Sequence, residues 1–279
     1  MITLFSCPKP FKENIRTIQR NAIRSWRLLG PSVEIILFGD EEGTAEAAAE
    51  FGARHIPSVE QNEYGTPLLS DIFEKAQKIA RNNLVCYINA DIILFHDYIE
   101  TVSFISKRNK KFLLIGQRWD VEISSELEFR DQWEENLKSY VIKNGKLSAR
   151  NAIDFFVFPK GSIEYMPPFA IGRPAWDNWF IYNALSNYFP VIEGTATIMP
   201  IHQNHSYNHV KHGTGIAWEG PEANRNRMLA GGRNQIYTLD NANFILTKKF
   251  VVKAAWKNRL ITFFRDITKD ILRVIDKQF

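Results

Sequence analysis

Residues 84–94 read LVCYINADIIL and set one carboxylate, Asp91, inside an almost continuous apolar run. The apolar residues at 84–89 predict a strand that is buried on both faces. Burying an ionised carboxylate beside such a strand is costly unless the charge is paired, hydrogen-bonded or bound to a metal. Ligands of open α/β sheets bind outside the carboxyl ends of the strands, so Asp91 is a candidate ligand for a divalent cation that neutralises a diphosphate. Capping of the next turn by Asp91 is the structural alternative, and this segment alone leaves both open.

Strand-like and helix-like segments alternate around this motif. The other predicted elements are strands at 2–6, 33–38, 112–116, 153–158 and 195–199 and helices at 15–26, 45–51, 67–82 and 175–187, with Thr66 capping the third helix. This alternation predicts an α/β fold with a mostly parallel sheet flanked by helices on both faces. The polar loop at 202–215 is typical of a site built on loops of a rigid scaffold. Because no repeat or linker interrupts the pattern, residues 1–246 are predicted to form one domain.

Composition limits the class of protein. A chain of 279 residues with 45% apolar residues can bury a large core, which excludes a disordered chain or a small disulfide-stapled one. The two cysteines, Cys7 and Cys86, fit a reducing compartment. The first ten residues lack the features of a signal peptide, and the longest apolar tract, 84–95, is too short to span a membrane. We therefore expect a cytoplasmic protein.

The basic charge of the chain is concentrated at its C-terminal end. Residues 247–279 carry nine basic and three acidic residues, a net charge of +6, which leaves −2 for residues 1–246. The basic character therefore does not indicate a nucleic-acid partner. Apolar residues at three- and four-residue steps predict an amphipathic helix in this tail: Trp256, Leu260, Phe263, Phe264, Ile267, Ile271, Val274 and Ile275. Two partners for this apolar stripe stay open, an anionic membrane surface at the cytoplasmic face and a protein surface on this chain or a second subunit.

Three segments resemble, in chain order, the motifs of one enzyme superfamily. Asn89-Ala90-Asp91 after its strand resembles the Asp-x-Asp motif of GT-A fold nucleotide-sugar glycosyltransferases. Residues 172–179, GRPAWDNW, resemble the acceptor-side segment in which inverting, family-2-like members carry a catalytic acidic residue. Residues 202–207, HQNHSY, are similar to the segment that holds a C-terminal metal-ligating His. The resemblance implies a GT-A fold, a nucleotide-diphosphate sugar as donor, and a carbohydrate or lipid-linked glycan as acceptor, as in the assembly of surface polysaccharide.

The same resemblance implies roles for single residues. Asp91, with His202 and His205, would hold a divalent cation, Mn²⁺ or Mg²⁺, and Asp177 would be the general base that deprotonates the acceptor hydroxyl. The expected donor-binding residues lie at the ends of the early strands and in the motif: Cys7, Pro8, Lys9, Asp40, Ser70, Asp71, Asn89, Ala90 and Asp91. The expected acceptor-binding residues are Asp154, Arg173, Trp176 and Asn178.

Two features of these segments bear on the expected chemistry. Asn89 stands where the motif has its first acid, and an amide is a weaker cation ligand than a carboxylate, which weakens the implied dependence on a metal. Trp176 and Trp179 flank Asp177 and would raise its pKa by desolvating it. If Asp177 is not the base, its alternative role is a helix N-cap.

Two other functions are compatible with these segments. A sugar nucleotidyltransferase would share the superfamily fold, but such enzymes usually open with a glycine-rich loop, and residues 6–10, SCPKP, contain no glycine. A non-catalytic module that binds a carbohydrate or a nucleotide would require Asp91 and Asp177 to be purely structural. The order of the three motifs favours the glycosyltransferase.

Overall fold

The computed structural model describes residues 1–205, 214–232, 235–248 and 250–254. Its larger sheet contains β1 (Ile2–Ser6), β2 (Glu34–Phe38), β3 (Arg54–Ile56), β4 (Leu84–Ile88), β6 (Leu113–Ile115), β9 (Phe155–Pro159), β10 (Val191–Glu193), β12 (Phe244–Leu246) and β13 (Val251–Lys253). Its smaller sheet contains β5 (Ile92–Ile93), β7 (Trp119–Val121), β8 (Lys146–Leu147) and β11 (Ile201–Gln203). The helices are α1 (Glu13–Leu28), α2 (Thr44–Phe51), α3 (Leu69–Ile79), α4 (His96–Ser106), α5 (Trp133–Asn144), α6 (Trp176–Ser186), α7 (Thr214–Glu219) and α8 (Pro221–Leu229).

The larger sheet has the order β13-β12-β10-β6-β9-β4-β1-β2-β3. All of these strands run parallel to β1 except β9 and β13, which confirms the predicted α/β class with a mostly parallel sheet. Strand β9 lies antiparallel between β4 and β6, with Ile88 opposite Phe155. Because of this reversal, the start of β9 lies at the same sheet edge as the carboxyl ends of β1, β4 and β6.

Both faces of the sheet are buried, as the continuous apolar strands predict. Along β4, Val85 and Tyr87 point into an aromatic core that includes Phe73. Cys86 and Ile88 point the other way, into a core built around Trp26 and neighbouring helices. The site therefore stands on strands that are packed on two sides and held rigidly.

Two predicted elements differ from the observed ones. Helix α3 begins at Leu69, and its N-cap is Leu68 in place of Thr66, because Pro67 and Leu68 are bridged to other backbone segments before the helix starts. The predicted strand at 195–199 is a turn in which Thr197 N donates to Gly194 O, and the strands lie on either side of it as β10 and β11. In both cases a tertiary contact overrides the local pattern.

The predicted boundary at residue 246 falls inside a hairpin. Strands β12 and β13 pair antiparallel, and Thr247 N donates to Phe250 O at 2.8 Å to close the turn between them. Residues 251–253 are thus a strand, so the helical tail predicted for 247–279 does not begin at residue 247. Residues 255–279, which carry the rest of that prediction, lie outside the described residues. No helix of the described part is long and apolar enough to cross a membrane.

Candidate active site

Asp91 forms a cluster with two histidines beyond the carboxyl end of β4. Its Oδ2 lies 3.1 Å from Nε2 of His205 and 3.8 Å from Nε2 of His202. The Asp91 residue is only 9% exposed. Its second oxygen, Oδ1, is buried and accepts no hydrogen bond from the described part of the chain. A charged oxygen left in this way is costly unless a bound group satisfies it.

The cluster fits a divalent cation. One ligand atom from each of Asp91, His202 and His205 lies within 4.8 Å of the other two. Ligands that share one ion at about 2.1 Å lie about 3 Å apart when adjacent and about 4 Å apart when opposite. One carboxylate with two imidazoles is a donor set that first-row divalent cations, Mn²⁺ among them, can accept, and three protein ligands would leave room for a diphosphate. This donor set, with an Asp91 oxygen that lacks a partner among the described residues, supports the metal site that the resemblance implies.

Backbone pairing brings these residues together from distant parts of the sequence. In the smaller sheet, His202 is the register partner of Ile92 on β5 and of Asp120 on β7. The next residue, Gln203, is fully buried, and its amide donates to the carbonyl of Asp91 at 3.1 Å and to that of Ile18 at 2.9 Å. Gln203 therefore ties β11 to both the motif loop and α1.

Lys9 lies on the same side of the cluster, in the loop after β1. The backbone of Lys9 forms two hydrogen bonds with the side-chain amide of the buried Gln19, at 2.7 and 2.8 Å. Its Nζ lies 3.4 Å from Nε2 of His205. Burial lowers the pKa of Lys9, although the charges of Asp91 and Asp154 oppose this effect. Among the expected donor-binding residues, Lys9 is thus one that does reach the cluster.

The environment of Asp91 keeps its carboxylate ionised. Burial alone would raise its pKa, but the hydrogen bond from His205 and the charges of His202 and Lys9 outweigh that effect and hold the pKa well below its usual range. An ionised carboxylate with one unsatisfied oxygen is what a cation ligand requires.

A second network joins the motif to the start of β9. The side-chain amide of Asn89 donates to Asp154 at 2.5 Å and accepts from the hydroxyl of Tyr87 at 3.0 Å. The other carboxylate oxygen of Asp154 pairs with Arg118, whose Nε donates to Asp120 at 2.9 Å. In this protein the amide at the first motif position therefore holds the site together through Asp154.

Asp177 stands in the first turn of α6, close to this network. The helix N-cap is Ala175, which has a φ of +84°, so the N-cap role considered for Asp177 is not the observed one. Burial raises the pKa of Asp177 to about 7, and the charge of Asp154 adds to this rise, while hydrogen bonds from the backbone and the charge of Arg118 oppose it. A carboxylate with a pKa near neutrality can both take up and release a proton at physiological pH.

Several expected contact residues have partners within the protein. Trp176 is 6% exposed and packs edge-on against Tyr87 at 5.0 Å between ring centroids, so it belongs to the core and offers little surface to an acceptor. Arg173 pairs with Glu222 at 2.6 Å. Asn178 exchanges hydrogen bonds with the backbone of Tyr237. The structure thus gives these three expected acceptor-binding residues packing and bonding roles.

Some of the expected donor-binding residues at the ends of the early strands also have partners within the protein. Asp71 accepts from Glu60 N at 2.9 Å and pairs with Lys75 at 2.7 Å, which stabilises the start of α3. Cys7 packs against the core, and burial raises its pKa to about 12, which keeps the thiol neutral. The remaining expected donor residues are the buried Pro8 and Ala90, the half-buried Ser70 and the exposed Asp40.

Three residues of the site were not assigned a place by the sequence pattern. Arg118 precedes β7 and Asp120 lies on it, and this strand of only three residues is too short to show periodicity. Gln203 is a polar residue that the pattern cannot place in the core. The alternation of charged and apolar residues in the segment Arg118-Trp119-Asp120-Val121 was the available signal, since it is typical of a strand with one polar face.

Comparison with known proteins relates this fold to solved structures. No protein-family model matches the chain, and no curated protein matches it. Glucosyl-3-phosphoglycerate synthase of M. tuberculosis superposes with a TM-score of 0.50 at 11% identity, over 84% of this chain and 81% of that one. A structure of that enzyme with Mg²⁺ and UDP gives 0.49 at 11%, over 84% and 80%. TarS 1-349 of S. aureus gives 0.42 at 11%, over 73% and 57%. The chain therefore has the GT-A glycosyltransferase fold.

Proposed function

We propose that this protein is a glycosyltransferase that transfers a sugar from a nucleotide-diphosphate donor to a hydroxyl group of an acceptor. The GT-A fold supports the donor class only by analogy, because one fold can host unrelated activities. The proposal therefore depends on the site, where Asp91, His202 and His205 could hold a cation and the carboxyl group of Asp177, with its raised pKa, is near enough to feel the charges of Asp154 and Arg118.

The observation that carries the proposal is the cluster of Asp91, His202 and His205, whose ligand atoms lie within 4.8 Å of one another beside a buried oxygen of Asp91 that has no partner among the described residues. Opposite shifts of two carboxyl pKa values accompany this geometry. The surroundings of Asp91 hold its pKa below the usual range, whereas burial raises the pKa of Asp177 to about 7. Carboxyl groups whose environments separate their pKa values in this way commonly divide charge stabilisation and proton transfer between them. Asp91 suits the first task and Asp177 the second.

The roles of the residues follow from this division. Asp91, His202 and His205 would hold Mn²⁺ or Mg²⁺, and such a cation stabilises the negative charge that develops on a departing nucleoside diphosphate. The ammonium group of Lys9 lies on the same side, 3.4 Å from Nε2 of His205. Asp177 accepts the proton of the acceptor hydroxyl as this oxygen attacks the anomeric carbon, which predicts inversion at that carbon.

The finer parts of the function concern the acceptor and the place of action. We propose a carbohydrate or lipid-linked glycan as the acceptor, as in the assembly of surface polysaccharide, at the cytoplasmic face of a membrane. Support comes from the basic tail at 247–279, whose charge would favour an anionic surface. The acceptor itself has to be identified by assay.

A transfer assay with paired variants tests the proposal. The full chain is incubated with UDP-, GDP-, dTDP- and CMP-sugars and Mn²⁺, and nucleotide release and the anomeric configuration of the product are measured. Asp91→Ala is expected to abolish turnover, and Asp177→Asn to lower it about 10²-fold or more. Asp97→Asn is the matched control, since Asp97 is a partly buried carboxyl on α4 that pairs with Lys138. Normal turnover in Asp177→Asn with none in Asp91→Ala would remove the base assignment and favour retention.

A further inference from the structure

Asp120 and His202 are neighbours across two parallel strands. They are register partners in the pairing of β7 with β11, so their side chains project from the same face of the smaller sheet. Nδ1 of His202 lies 3.0 Å from Oδ1 of Asp120, a charge contact whose alignment is not that of a hydrogen bond. The opposite ring nitrogen, Nε2, lies 3.8 Å from Oδ2 of Asp91. One imidazole thus stands between two carboxylates, one at the candidate metal site and one behind it.

This arrangement determines which nitrogen of His202 can bind a metal. A neutral imidazole carries its proton on one nitrogen and a free electron pair on the other. A carboxylate beside Nδ1 favours the proton there, which leaves the electron pair on Nε2, the nitrogen that faces Asp91. In metal sites of proteins, a carboxylate behind a ligating histidine fixes the tautomer and the ring orientation and makes the ligand more basic.

Arg118 in turn fixes the position of Asp120. Its Nε donates to Oδ1 of Asp120 at 2.9 Å, and its terminal nitrogen pairs with Asp154. The Arg118 side chain is 18% exposed, so this pair is shielded from water more than a surface pair is. The arginine therefore holds the carboxylate of Asp120 against the imidazole and prevents it from turning into solvent.

We propose that Asp120 is a positioning residue of the metal centre. It holds the His202 ring with Nε2 toward Asp91, and Arg118 keeps Asp120 in place for this task. The inference rests on the proposed function, because it assigns Asp120 to the cation site formed by Asp91, His202 and His205. Asp120 itself contacts neither the cation nor the substrate in this assignment.

Mn²⁺ binding by the full chain, without any donor, tests the proposal. Electron paramagnetic resonance of unbound Mn²⁺ gives the Kd, and pulsed measurements report the nitrogen ligands of the bound ion. Asp120→Ala is expected to weaken Mn²⁺ binding by about 10- to 100-fold and to leave the nitrogen coupling of a single imidazole, as in His202→Ala. Asp120→Asn keeps an oxygen acceptor without the charge, so we expect it to restore both imidazole couplings and to weaken binding only several-fold.

Glu122→Ala is the matched control, because it removes an exposed carboxylate that lies two residues after Asp120 in the sequence. It should bind Mn²⁺ as the wild-type chain does. Wild-type affinity and two imidazole couplings in Asp120→Ala, with binding lost in Asp91→Ala, would overturn the role of Asp120 and leave the metal site intact. A wild-type chain that takes up no Mn²⁺ would overturn both. If Asp120→Ala does not fold, the test rests on Asp120→Asn. Wild-type affinity for Mn²⁺ in that variant would overturn the positioning role of Asp120.

Discussion

At the scale of single residues, the activity should follow the ionisation of Asp177. Burial raises the pKa of this carboxyl group to about 7, and a general base must be deprotonated to act. We expect kcat to rise with pH between about 5 and 8 with an apparent pKa near 7, and Asp177→Asn to lose this dependence together with most of the rate. The pH profile of kcat at saturating donor checks this, and a profile that Asp177→Asn leaves unchanged would contradict it.

The same shift has a consequence for stability. The pKa of Asp177 is higher in the folded chain than its ordinary value of 3.8, so the folded state binds more protons than the unfolded state between those two pH values. Asp177 therefore makes the fold less stable as pH rises from about 4 to about 7. Asp177→Asn should raise the free energy of unfolding at pH 8 and have little effect at pH 4. Urea unfolding at both pH values measures this, and an equal effect at the two would argue against a raised pKa of Asp177.

The candidate metal site at Asp91 predicts that a divalent cation stabilises the folded chain. A ligand that binds only the folded state raises its stability by about 2.7 kcal/mol at a concentration 100-fold above Kd. Mn²⁺ should therefore raise the thermal midpoint of the wild-type chain. Asp91→Asn should lose most of this rise, because an amide is a weaker ligand than a carboxylate, and Oδ1 of Asp91 accepts no hydrogen bond from the residues that the structure describes. A thermal scan with and without Mn²⁺ is the measurement, and an equal rise in the two proteins would place the ion elsewhere.

At the scale of elements, α8 fixes the loop that leads to Asp177. The amide of Asn226, fully buried on α8, accepts from Ala170 N at 2.9 Å and donates to Ala170 O at 3.0 Å. One turn earlier, Glu222 pairs with Arg173 and accepts from Asn62. These contacts hold residues 170–173, from which the chain passes through the left-handed Ala175 into α6. The placement of Asp177 thus depends on a helix about 45 residues further along the chain.

This dependence predicts a combined effect of Asn226→Ala. The substitution leaves a buried N–H and a buried carbonyl of Ala170 unpaired, which should lower the free energy of unfolding by about 1–3 kcal/mol. It should also lower kcat more than it changes the KM for the donor, since the donor side of the site is held by other elements. Asn224→Ala, an exposed residue on the same helix, is the control. Unfolding in urea and steady-state kinetics give the two readouts. Wild-type values of both would contradict the role of Asn226 in holding residues 170–173.

Long elements with regular patterns were predictable, and short ones were not. The apolar runs of β1 and β4 and the periodic spacing in α1 locate the sheet and one covering helix, and the motif after β4 locates Asp91. The smaller sheet consists of strands of two or three residues, which are too short to show a period, so the pairing of His202 with Asp120 could not be read from the sequence. Trp176 has an aromatic ring of the kind that stacks on sugars. The ring lies in the core, however, because its helix directs it toward Tyr87.

At the scale of the whole molecule, the basic tail and the folded body carry net charges of opposite sign. Residues 247–279 carry +6 and residues 1–246 carry −2, yet strand β13 at 251–253 belongs to the sheet of the body. A cut at 246 would remove the partner of β12 and expose a sheet edge, whereas a cut after 254 leaves the hairpin intact. The membrane interpretation should therefore be tested with the chain ended at 254.

The chain ended at 254 should lose binding to anionic membranes and keep its stability. Each basic residue near an anionic surface contributes about 1 kcal/mol, and the removed part carries six of the nine basic residues of the tail. Sedimentation with phosphatidylglycerol-rich vesicles measures binding, and neutral phosphatidylcholine vesicles are the control. If the shortened chain sediments as the full chain does, the tail does not bind the membrane. The other result is a sharp fall in the thermal midpoint of the shortened chain while the full chain does not bind vesicles. In that case the apolar stripe packs on a protein surface, of this chain or of a second subunit.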